Sequence, residues 1–587
     1  MSINTVENRG KAGKEDECMK ALLGKAHSPE FWAEVREGET YRSLREQLLI
    51  RWEAEGKDEI PSLNYSAYRR FVFDGDRDTY EKPYFKRRRA MNTAAVLALI
   101  YPERQEYLVK LMDLIYAVCD EYTWCLPAHQ TELGVNNNRH IDLFAAETGM
   151  CLSEIYTLHT DRLEPLIADR IRVEVDRRII QSFLDTRFFW EKIGSNWAAV
   201  CTGSVSCTFM LMRPDLMPEL EDRFCSAMQY FLGGFGADGV CEEGFSYWCY
   251  GFGFFTVWAD MIRTFTEGRV DWFKLDKVKA VAPFLSRMYL TGACTVSFSD
   301  AGRTGRYNLG VLHYLKNEYP DDVIIPDPAY SELMDGCGRW CTFLRTFTWL
   351  REEYLTVSQV QSELTYYAPS VHWLVKRGTA YSFAAKGGHN CEPHNHHDVG
   401  SFILAKDGRQ ILTDPGGGVY SRQYFSSPRY TFVACGSHGH SVPYFGTDAD
   451  RAERGFFYGY QKDGRQFEAK DVSFDGHTLT MDIASAYNEP AVRRVLRTFA
   501  LEDNGLILRD EFDVDAGVPI TERLVSLAPF AVGAGVAITD GVALTFDPDC
   551  CDATTAVGDF KPNEAVYFLD LRLKEGVQAL KIEIRVE

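Results

Sequence analysis

The spacing of hydrophobic positions changes near residue 354. From about Ser28 to about Glu353, apolar residues recur at helical intervals, as in Leu163, Leu166, Ile167, Ile171 and Val175. From about Leu355 onward, apolar and polar residues alternate, which is the period of a strand with one buried face. The pattern predicts an almost entirely helical domain over residues 1–353 and an antiparallel β domain over residues 354–587.

Four dipeptides in the C-terminal part have the composition of tight hairpin turns: Asp407-Gly408, Asp463-Gly464, Asp475-Gly476 and Asn504-Gly505. They predict many antiparallel strands, arranged as a sandwich. In the helical part, short polar or glycine-containing joints between candidate helices predict paired antiparallel helices rather than βαβ units.

Charge and length restrict the classes of partner. At 587 residues the chain is too long for one ordinary core. A formal net charge of -20 argues against a general nucleic-acid binder, which needs basic surface. No apolar run approaches the roughly 20 residues that span a bilayer, so no membrane partner is expected. A locally positive cleft could still hold an anionic ligand, and Arg139, His140, Arg422 and Arg429 are candidates, although each is more often a solvated side chain.

The first residues and the cysteines bear on the compartment. Residues 1–9 are polar and have no apolar core of a secretory signal, which favours a cytoplasmic protein. None of the 16 cysteines forms a CxxC pair, so we expect reduced, mostly buried thiols and no thiolate zinc site.

Six of the thirteen histidines lie between His389 and His440. If residues 392–404 form a strand, His394, His396 and Asp398 share one face, because successive side chains point to opposite faces. The Asp407-Gly408 turn would then return Asp414 toward the histidines. Two imidazoles and a carboxylate are enough to begin a metal site, and the alternative is a polar strand with surface histidines.

Two segments of the helical part carry candidate chemistry. In residues 194–204, Asn196 is placed either to cap a helix or to donate its amide to a carboxylate, and Trp197 could stack on a sugar ring. In residues 238–253, acids and aromatics including Tyr247 and Tyr250 crowd a loop that enters a helix. Such aromatic clusters are more often core packing.

In this order, the motifs resemble the heparinase II/III-like superfamily of polysaccharide lyases over roughly residues 124–446. The residues that carry the resemblance are Trp124, Pro127, His129, Asp142, Glu147, Asn196, Trp197, Glu243, Gly244, Tyr247, His394, His396, Asp398, Asp414, Gly416, His440 and Pro443. The resemblance implies an incomplete (α/α) toroid followed by an antiparallel β-sandwich.

The implied activity is β-elimination on a polysaccharide or oligosaccharide that contains uronic acid, with a glycosaminoglycan preferred and 4,5-unsaturated uronate ends as products. By resemblance, Asn196 holds the substrate carboxylate with help from His394, and Tyr247 protonates the leaving oxygen. Tyr250 is the fallback for Tyr247. The base stays open among Tyr247, His394 and a tyrosine of the 420–430 segment, such as Tyr430. The substrate-binding candidates are Trp197, His129, Arg139, His140, Glu243, Arg422 and Arg429.

The resemblance also implies a structural zinc ion held by His396, Asp414 and His440, with His440 favoured over His438 and with support from Asp398. Two other functions remain open. One is a glycoside hydrolase that acts on uronides with Glu242 and Glu243, although adjacent carboxylates do not naturally flank a scissile bond. The other is a noncatalytic carbohydrate-binding relative. The sequence leaves the oligomeric state open, and Trp197 departs from the histidine of some relatives.

Overall fold

The computed structural model describes residues 20–130, 133–134, 137–355 and 363–587. These residues form two compact units. The first contains the described residues up to Gly234, then Cys249–Ala282 and the described residues from Arg306 to 355; the second contains Phe235–Trp248, Pro283–Gly305 and the described residues from 363 onward. The domain boundary after residue 353 stays a prediction, but two segments from before it pack with the later strands. Residues 1–9, on which the cytoplasmic expectation depends, lie outside the described residues.

The first unit is helical, as predicted. Its α-helices are Pro29–Glu37, Arg42–Arg51, Tyr65–Tyr68, Arg70–Asp74, Asp78–Ile100, Gln105–Cys119, Leu143–His159, Pro165–Val175, Gln181–Asp185, Asn196–Met212, Met217–Gly233, Gly253–Phe265, Asp276–Val281, Leu309–Glu318 and Trp340–Thr348. A two-stranded parallel ladder, Tyr307–Asn308 with Ser331–Glu332, accompanies them. No helix in the described part of the chain is both long and apolar enough to cross a bilayer.

Two helices at the centre of this unit pack against each other and are buried on nearly every face, Leu143–His159 and Asn196–Met212. Helices that are apolar all round belong in the interior. The first of them begins where the buried Asp142 accepts a hydrogen bond from the backbone amide of Ala145 at 2.7 Å. This N-cap satisfies a helix-terminal donor that burial would otherwise leave unpaired.

The second unit is rich in strands, which confirms the predicted change from helix to strand. One large sheet has the spatial order Cys551–Lys561, Glu564–Leu573, Ile520–Ser526, Arg409–Leu412, Phe402–Lys406, Ser382–Lys386, Trp373–Arg377, Leu364–Ala368, with Pro443–Phe445 also paired to Ile520–Ser526. The other has the order Lys470–Phe474, Thr478–Asp482, Val492–Glu502, Gly505–Val514, Ala579–Val586, Val542–Phe546, Val536–Thr539, Ala531–Gly533. Smaller ladders pair Tyr289–Thr291 with Cys294–Thr295 and His389–Asn390 with Gly464–Glu468. Short helices of this unit are Phe245–Tyr247, Phe284–Arg287 and Asp448–Arg454.

The two large sheets share one hydrophobic core. Along Gly505–Val514, burial alternates, because every second side chain points to the same face. The core receives residues from both sheets, among them Phe383, Phe402, Leu404, Leu524, Phe499, Leu508 and Ile582. The alternation that predicted strands is therefore the alternation that fills this core.

Three of the four predicted hairpin turns are confirmed. Asp407-Gly408, Asp475-Gly476 and Asn504-Gly505 each join two strands that pair antiparallel with each other. The prediction at Asp463-Gly464 is wrong. The strand that begins at Gly464 pairs with His389–Asn390, far back in the sequence, so a turn dipeptide here does not join neighbouring strands.

Candidate active site and metal-binding group

The histidine-rich segment is a loop and not the predicted strand. The strand of this region begins only at Phe402, and His394 has a backbone φ of 59°, which a strand residue does not adopt. Asp398 accepts a hydrogen bond from the Lys386 ammonium group at 2.7 Å, and both side chains are completely buried. A buried carboxylate needs such a partner, so the loop folds back onto the strand Ser382–Lys386. Asp398 thus binds Lys386 through one oxygen, and its support of a metal ligand stays a prediction.

Asp300 lies at the centre of the cluster that this loop enters. Its carboxylate is bonded by His394 Nδ1 at 2.9 Å, His396 Nε2 at 3.0 Å and Arg429 Nη2 at 3.1 Å, and by the Tyr424 hydroxyl. Burial alone would raise the pKa of Asp300, but the hydrogen bonds from His394 and His396 hold it well below its usual range. An ionised carboxylate therefore orients both histidines.

The Tyr247 hydroxyl meets His394 and Tyr420 at this cluster. It lies 2.6 Å from the Tyr420 hydroxyl and 3.3 Å from His394 Nδ1, and its ring stacks on the His394 ring at 4.3 Å. Tyr420 in turn donates to Asp300 at 3.2 Å. Burial raises the pKa of Tyr247 well above its ordinary value, so this phenol keeps its proton at neutral pH.

A glycine brings Tyr247 to this position. The short helix Phe245–Tyr247 follows Gly244, which has φ +92°. A Cβ at Gly244 would lie 3.1 Å from Ala301 Cβ and 3.2 Å from the Phe298 carbonyl oxygen. Glycine permits both the backbone conformation and the close approach to the segment that carries Asp300.

His396, Asp414 and His440 form a group that could hold a metal ion, as predicted. Their candidate ligand atoms lie within 4.8 Å of one another, and all three side chains are completely buried. His440 Nδ1 is 3.0 Å from an Asp414 oxygen, whereas His396 Nδ1 has no hydrogen-bond partner. His438 packs instead against the rings of Phe456 and Tyr460. His396 also belongs to a second such group, with Asp300 and Cys435.

Other predicted residues of the second unit lie in different surroundings. The Tyr430 hydroxyl lies 2.8 Å from Asp463 Oδ1 and 3.0 Å from Asn395 Oδ1. The Tyr247 hydroxyl contacts Tyr420 of the same segment. Arg429 is buried against Asp300. Arg422 is exposed, whereas Glu243 is buried. Burial raises the pKa of Glu242, the residue before Glu243, to about 7.

In the first unit, Asn196 is the first residue of its helix and Ser195 is the N-cap residue, so the N-cap interpretation of Asn196 is wrong. Trp197 contacts the His129 ring edge-on at 4.9 Å. His129 Nδ1 lies 2.7 Å from Asp142 Oδ2, the carboxylate that also caps the neighbouring helix. Asn196 and Trp197 therefore lie at the N-terminus of one helix of this unit, and His129 lies beside the N-terminus of another.

The remaining candidates of the first unit are Arg139, His140 and Tyr250. Arg139 is exposed and forms an ion pair with Asp185, and burial lowers the pKa of the half-buried His140. Tyr250 donates to Glu147, and the Arg339 guanidinium covers its ring at 3.7 Å. Tyr250 lies within a π-helical turn, Trp248–Phe252, that begins directly after Tyr247, so the two tyrosines do not have the spacing of one α-helical face.

A family model matches part of the second unit, and solved structures match nearly the whole chain. A family model described as "Heparinase II/III-like, C-terminal" matches residues 366–549, which include His394, His396, Asp414 and His440. The chain contains a heparinase II/III-like C-terminal domain. This confirms the resemblance inferred from the motifs. No curated protein matches the sequence.

Solved structures resemble the chain over nearly its whole length. A heparinase III superposes with a TM-score of 0.60 at 12% identity, covering 99% of this chain and 91% of that one. The heparan sulfate lyase HepC from Pedobacter heparinus gives 0.53 at 13%, covering 100% and 91%. The Streptomyces coelicolor A3 chondroitin AC lyase, solved with chondroitin sulphate, gives 0.56 at 10%, covering 97% and 83%. At such identities the likeness establishes a shared fold.

The heparinase II/III-like domain does not supply the whole cluster. Asp300 and Tyr247 precede it in sequence, and Asp300 was missed by the sequence analysis. The signal available was a strand-like alternation of apolar and polar residues, Cys294-Thr295-Val296-Ser297-Phe298-Ser299, which ends at Asp300. That change of period within the helical part could have marked the segment as one that does not belong to a helix.

Proposed function

We propose that the chain is a polysaccharide or oligosaccharide lyase that cleaves uronic-acid-containing glycans by β-elimination, with a glycosaminoglycan as the preferred substrate. The observation that carries the proposal is the contact of the Tyr247 hydroxyl with both His394 and Tyr420 beside the buried Asp300. The fold shared with heparinase III and chondroitin AC lyase supports it.

The chemistry requires an acid at the leaving oxygen. β-Elimination removes the proton on the carbon next to the uronate carboxylate and breaks the bond to the neighbouring glycosidic oxygen, which must gain a proton. Tyr247 suits this role, because its raised pKa keeps the hydroxyl protonated until the leaving oxygen becomes basic. After product release, the proton that His394 has taken from the substrate carbon can be balanced by transfer of its Nδ1 proton to the Tyr247 oxygen, 3.3 Å away.

His394 suits the role of base. Its Nδ1 faces the ionised Asp300, so the Nδ1 proton is held there and the Nε2 lone pair is left to accept a proton. Pairing with a carboxylate also stabilises the imidazolium that proton abstraction produces, in the manner of other carboxylate–histidine pairs.

Asn196 is proposed, by resemblance, to hold the substrate carboxylate. It lies in the first turn of a 17-residue helix. The amides and the dipole at a helix N-terminus favour an anion, and the Asn196 amide adds a donor that can strengthen as negative charge grows on the carboxylate. We also propose that the helical unit is an incomplete (α/α) toroid and that the two large sheets form a β-sandwich of the lyase type.

A zinc ion is proposed at His396, Asp414 and His440. The residues fit, because the donor set is two imidazoles and one carboxylate, and the completely buried His396 Nδ1 lacks a hydrogen-bond partner. When bound, zinc would supply a structural link among three loops that the sequence separates. Asp300 touches His396 from the other nitrogen, at 3.0 Å, and so fixes the orientation of its ring.

The test is an ultraviolet assay for the conjugated double bond of an unsaturated uronate. Purified protein is incubated separately with hyaluronan, chondroitin sulfate, heparan sulfate and alginate oligosaccharides. Absorbance that rises with one of them supports the proposal and gives the substrate class. New reducing ends without absorbance would instead support a hydrolase, and no reaction with any uronate glycan would contradict the lyase proposal.

A further inference from the structure

A pocket of about 780 Å³ opens beside His394, on residues of the second unit alone. Its volume lies within the range of roughly 300–1,000 Å³ that small-molecule sites occupy. Phe425 and Phe457 line it, with 45% and 36% of their surfaces exposed. Exposed aromatic faces at a concave site are what a sugar ring needs for stacking on its apolar face.

A buried histidine of this pocket has an unused hydrogen-bonding atom. His397 lines the pocket, is only 2% exposed, and its Nε2 has no hydrogen-bond partner. Its ring stacks on Tyr430 at 3.6 Å. Since an unpaired buried nitrogen is unfavourable, a hydroxyl or amide of a ligand would satisfy it.

The charges around the pocket do not favour an anion. Among the described residues that line it, the cations are Arg429 and Lys462, and each already has a carboxylate partner, Asp300 at 3.1 Å and Glu489 at 3.1 Å respectively. Asp463 adds a further carboxylate, which accepts from the Tyr430 hydroxyl. A sulfate or carboxylate group entering here would meet a surface without surplus positive charge.

We propose that this pocket is a subsite for an uncharged sugar ring, such as an N-acetylhexosamine without sulfate. His397 would recognise one of its hydroxyl or acetamido groups, and Phe457 would stack on the ring. The inference rests on the proposed function, because His394 lines the same pocket and is the candidate base for the adjacent uronate. The uncharged unit of the glycan would thus select the substrate while the uronate reacts.

The experiment measures binding to the full chain, without turnover. N-acetylglucosamine and its 6-sulfate are titrated by ligand-detected NMR with wild type, Phe457→Leu, His397→Phe and Phe456→Leu. His397→Phe keeps a ring against Tyr430 and removes the nitrogen. Phe456 is 44% exposed, touches Phe457 and is outside the pocket lining, so Phe456→Leu is the matched control.

The proposal predicts saturable binding of N-acetylglucosamine, at least tenfold weaker binding of the sulfate, at least fivefold weakening by Phe457→Leu and by His397→Phe, and no change in Phe456→Leu. Absent binding of the uncharged sugar, equal or tighter binding of the sulfate, or unchanged binding in Phe457→Leu would overturn it. The ultraviolet assay separates the two ideas. If elimination occurs but the 6-sulfate binds as tightly as N-acetylglucosamine, only the subsite proposal is contradicted. If N-acetylglucosamine binds selectively but no uronate glycan undergoes elimination, only the lyase proposal is contradicted.

Discussion

At the residue scale, one carboxylate organises most of the candidate chemistry. Asp300 receives hydrogen bonds from two histidines, two tyrosines and Arg429, so its position fixes the side chains on both the Tyr247 side and the His396 side. The cluster therefore couples the orientation of the candidate base to that of a candidate metal ligand.

Replacing Tyr247 by phenylalanine removes the candidate acid and keeps the stacked ring. We expect kcat on the preferred glycan to fall by about 10²–10⁴-fold, the usual contribution of a general acid or base, with little change in melting temperature. The measurement is steady-state kinetics by ultraviolet absorbance. Tyr250→Phe is the control, because Tyr250 bonds to Glu147 instead. A larger loss in Tyr250→Phe than in Tyr247→Phe would refute the assignment.

The metal group makes its own prediction. Purified wild-type protein should contain about one zinc ion per chain by elemental analysis, because three buried ligands of suitable type converge there. His440→Ala should lose it and melt at a lower temperature. His438→Ala should retain it, since His438 packs against aromatic rings. Equal metal loss in both variants, or none in His440→Ala, would count against this ligand set.

Asp300→Ala should destabilise the fold as well as the activity. It leaves Arg429 buried without its carboxylate, and breaking a buried ion pair by removing one partner typically costs about 3–5 kcal/mol in the free energy of unfolding. Urea denaturation measures the change. The exposed Asp463→Ala is the control and should change the unfolding free energy little. A similar midpoint for Asp300→Ala and wild type would show that Asp300 is not held as described.

The sequence predicted some of these residues and not others. His396, Asp414 and His440 could be found because their residue types suit a metal and the family motifs place them. The role of Asp300 could not be found, since no local pattern shows the partners of a single acid, and those partners lie about 100 or more positions later in the chain. Burial of a charge becomes visible only when the tertiary structure shows what surrounds it.

At the element scale, local patterns predicted the elements well where one face of a strand is buried. Gly505–Val514 alternates as expected, and its hairpin with Val492–Glu502 turns at Asn504-Gly505. The prediction of a strand over residues 392–404 was wrong before Phe402, because alternation of polar residues carries no information on which face is buried. There the Lys386–Asp398 ion pair and the positive φ of His394 produce a loop.

A buried arginine connects strands of this unit. Arg497, completely buried in Val492–Glu502, donates to Asp510 and Glu522 and to the carbonyl oxygens of Gly400 and Ser441. Arg497→Ala should lower the free energy of unfolding by about 3–5 kcal/mol, because two buried carboxylates lose their cation.

The matched control for Arg497→Ala is in the same strand. Arg493 forms an exposed ion pair with Asp513, and exposed pairs contribute little, so Arg493→Ala should leave the urea midpoint nearly unchanged. If both variants unfold at the wild-type midpoint, the buried pair does not hold these strands together. If both lose stability equally, burial is not the reason.

At the scale of the whole molecule, chain order and compact units do not coincide. Tyr247 and Asp300 come from segments within the predicted helical part, yet they belong to the second unit together with the histidine loop. Periodicity locates a boundary between helix and strand but gives no information on which distant segments pack together. This is why a boundary after residue 353 could be inferred from the sequence while the assembly of the cluster could not.

Elimination, as proposed for this chain, and hydrolysis differ by one water molecule in their products. The most direct measurement is mass spectrometry of the two fragments released from one defined uronate tetrasaccharide of the class that reacts. Elimination adds no water, so we expect the fragment masses to sum to the mass of the intact glycan and one fragment to be unsaturated. Fragments whose masses exceed the parent by one water molecule would show hydrolysis and contradict it.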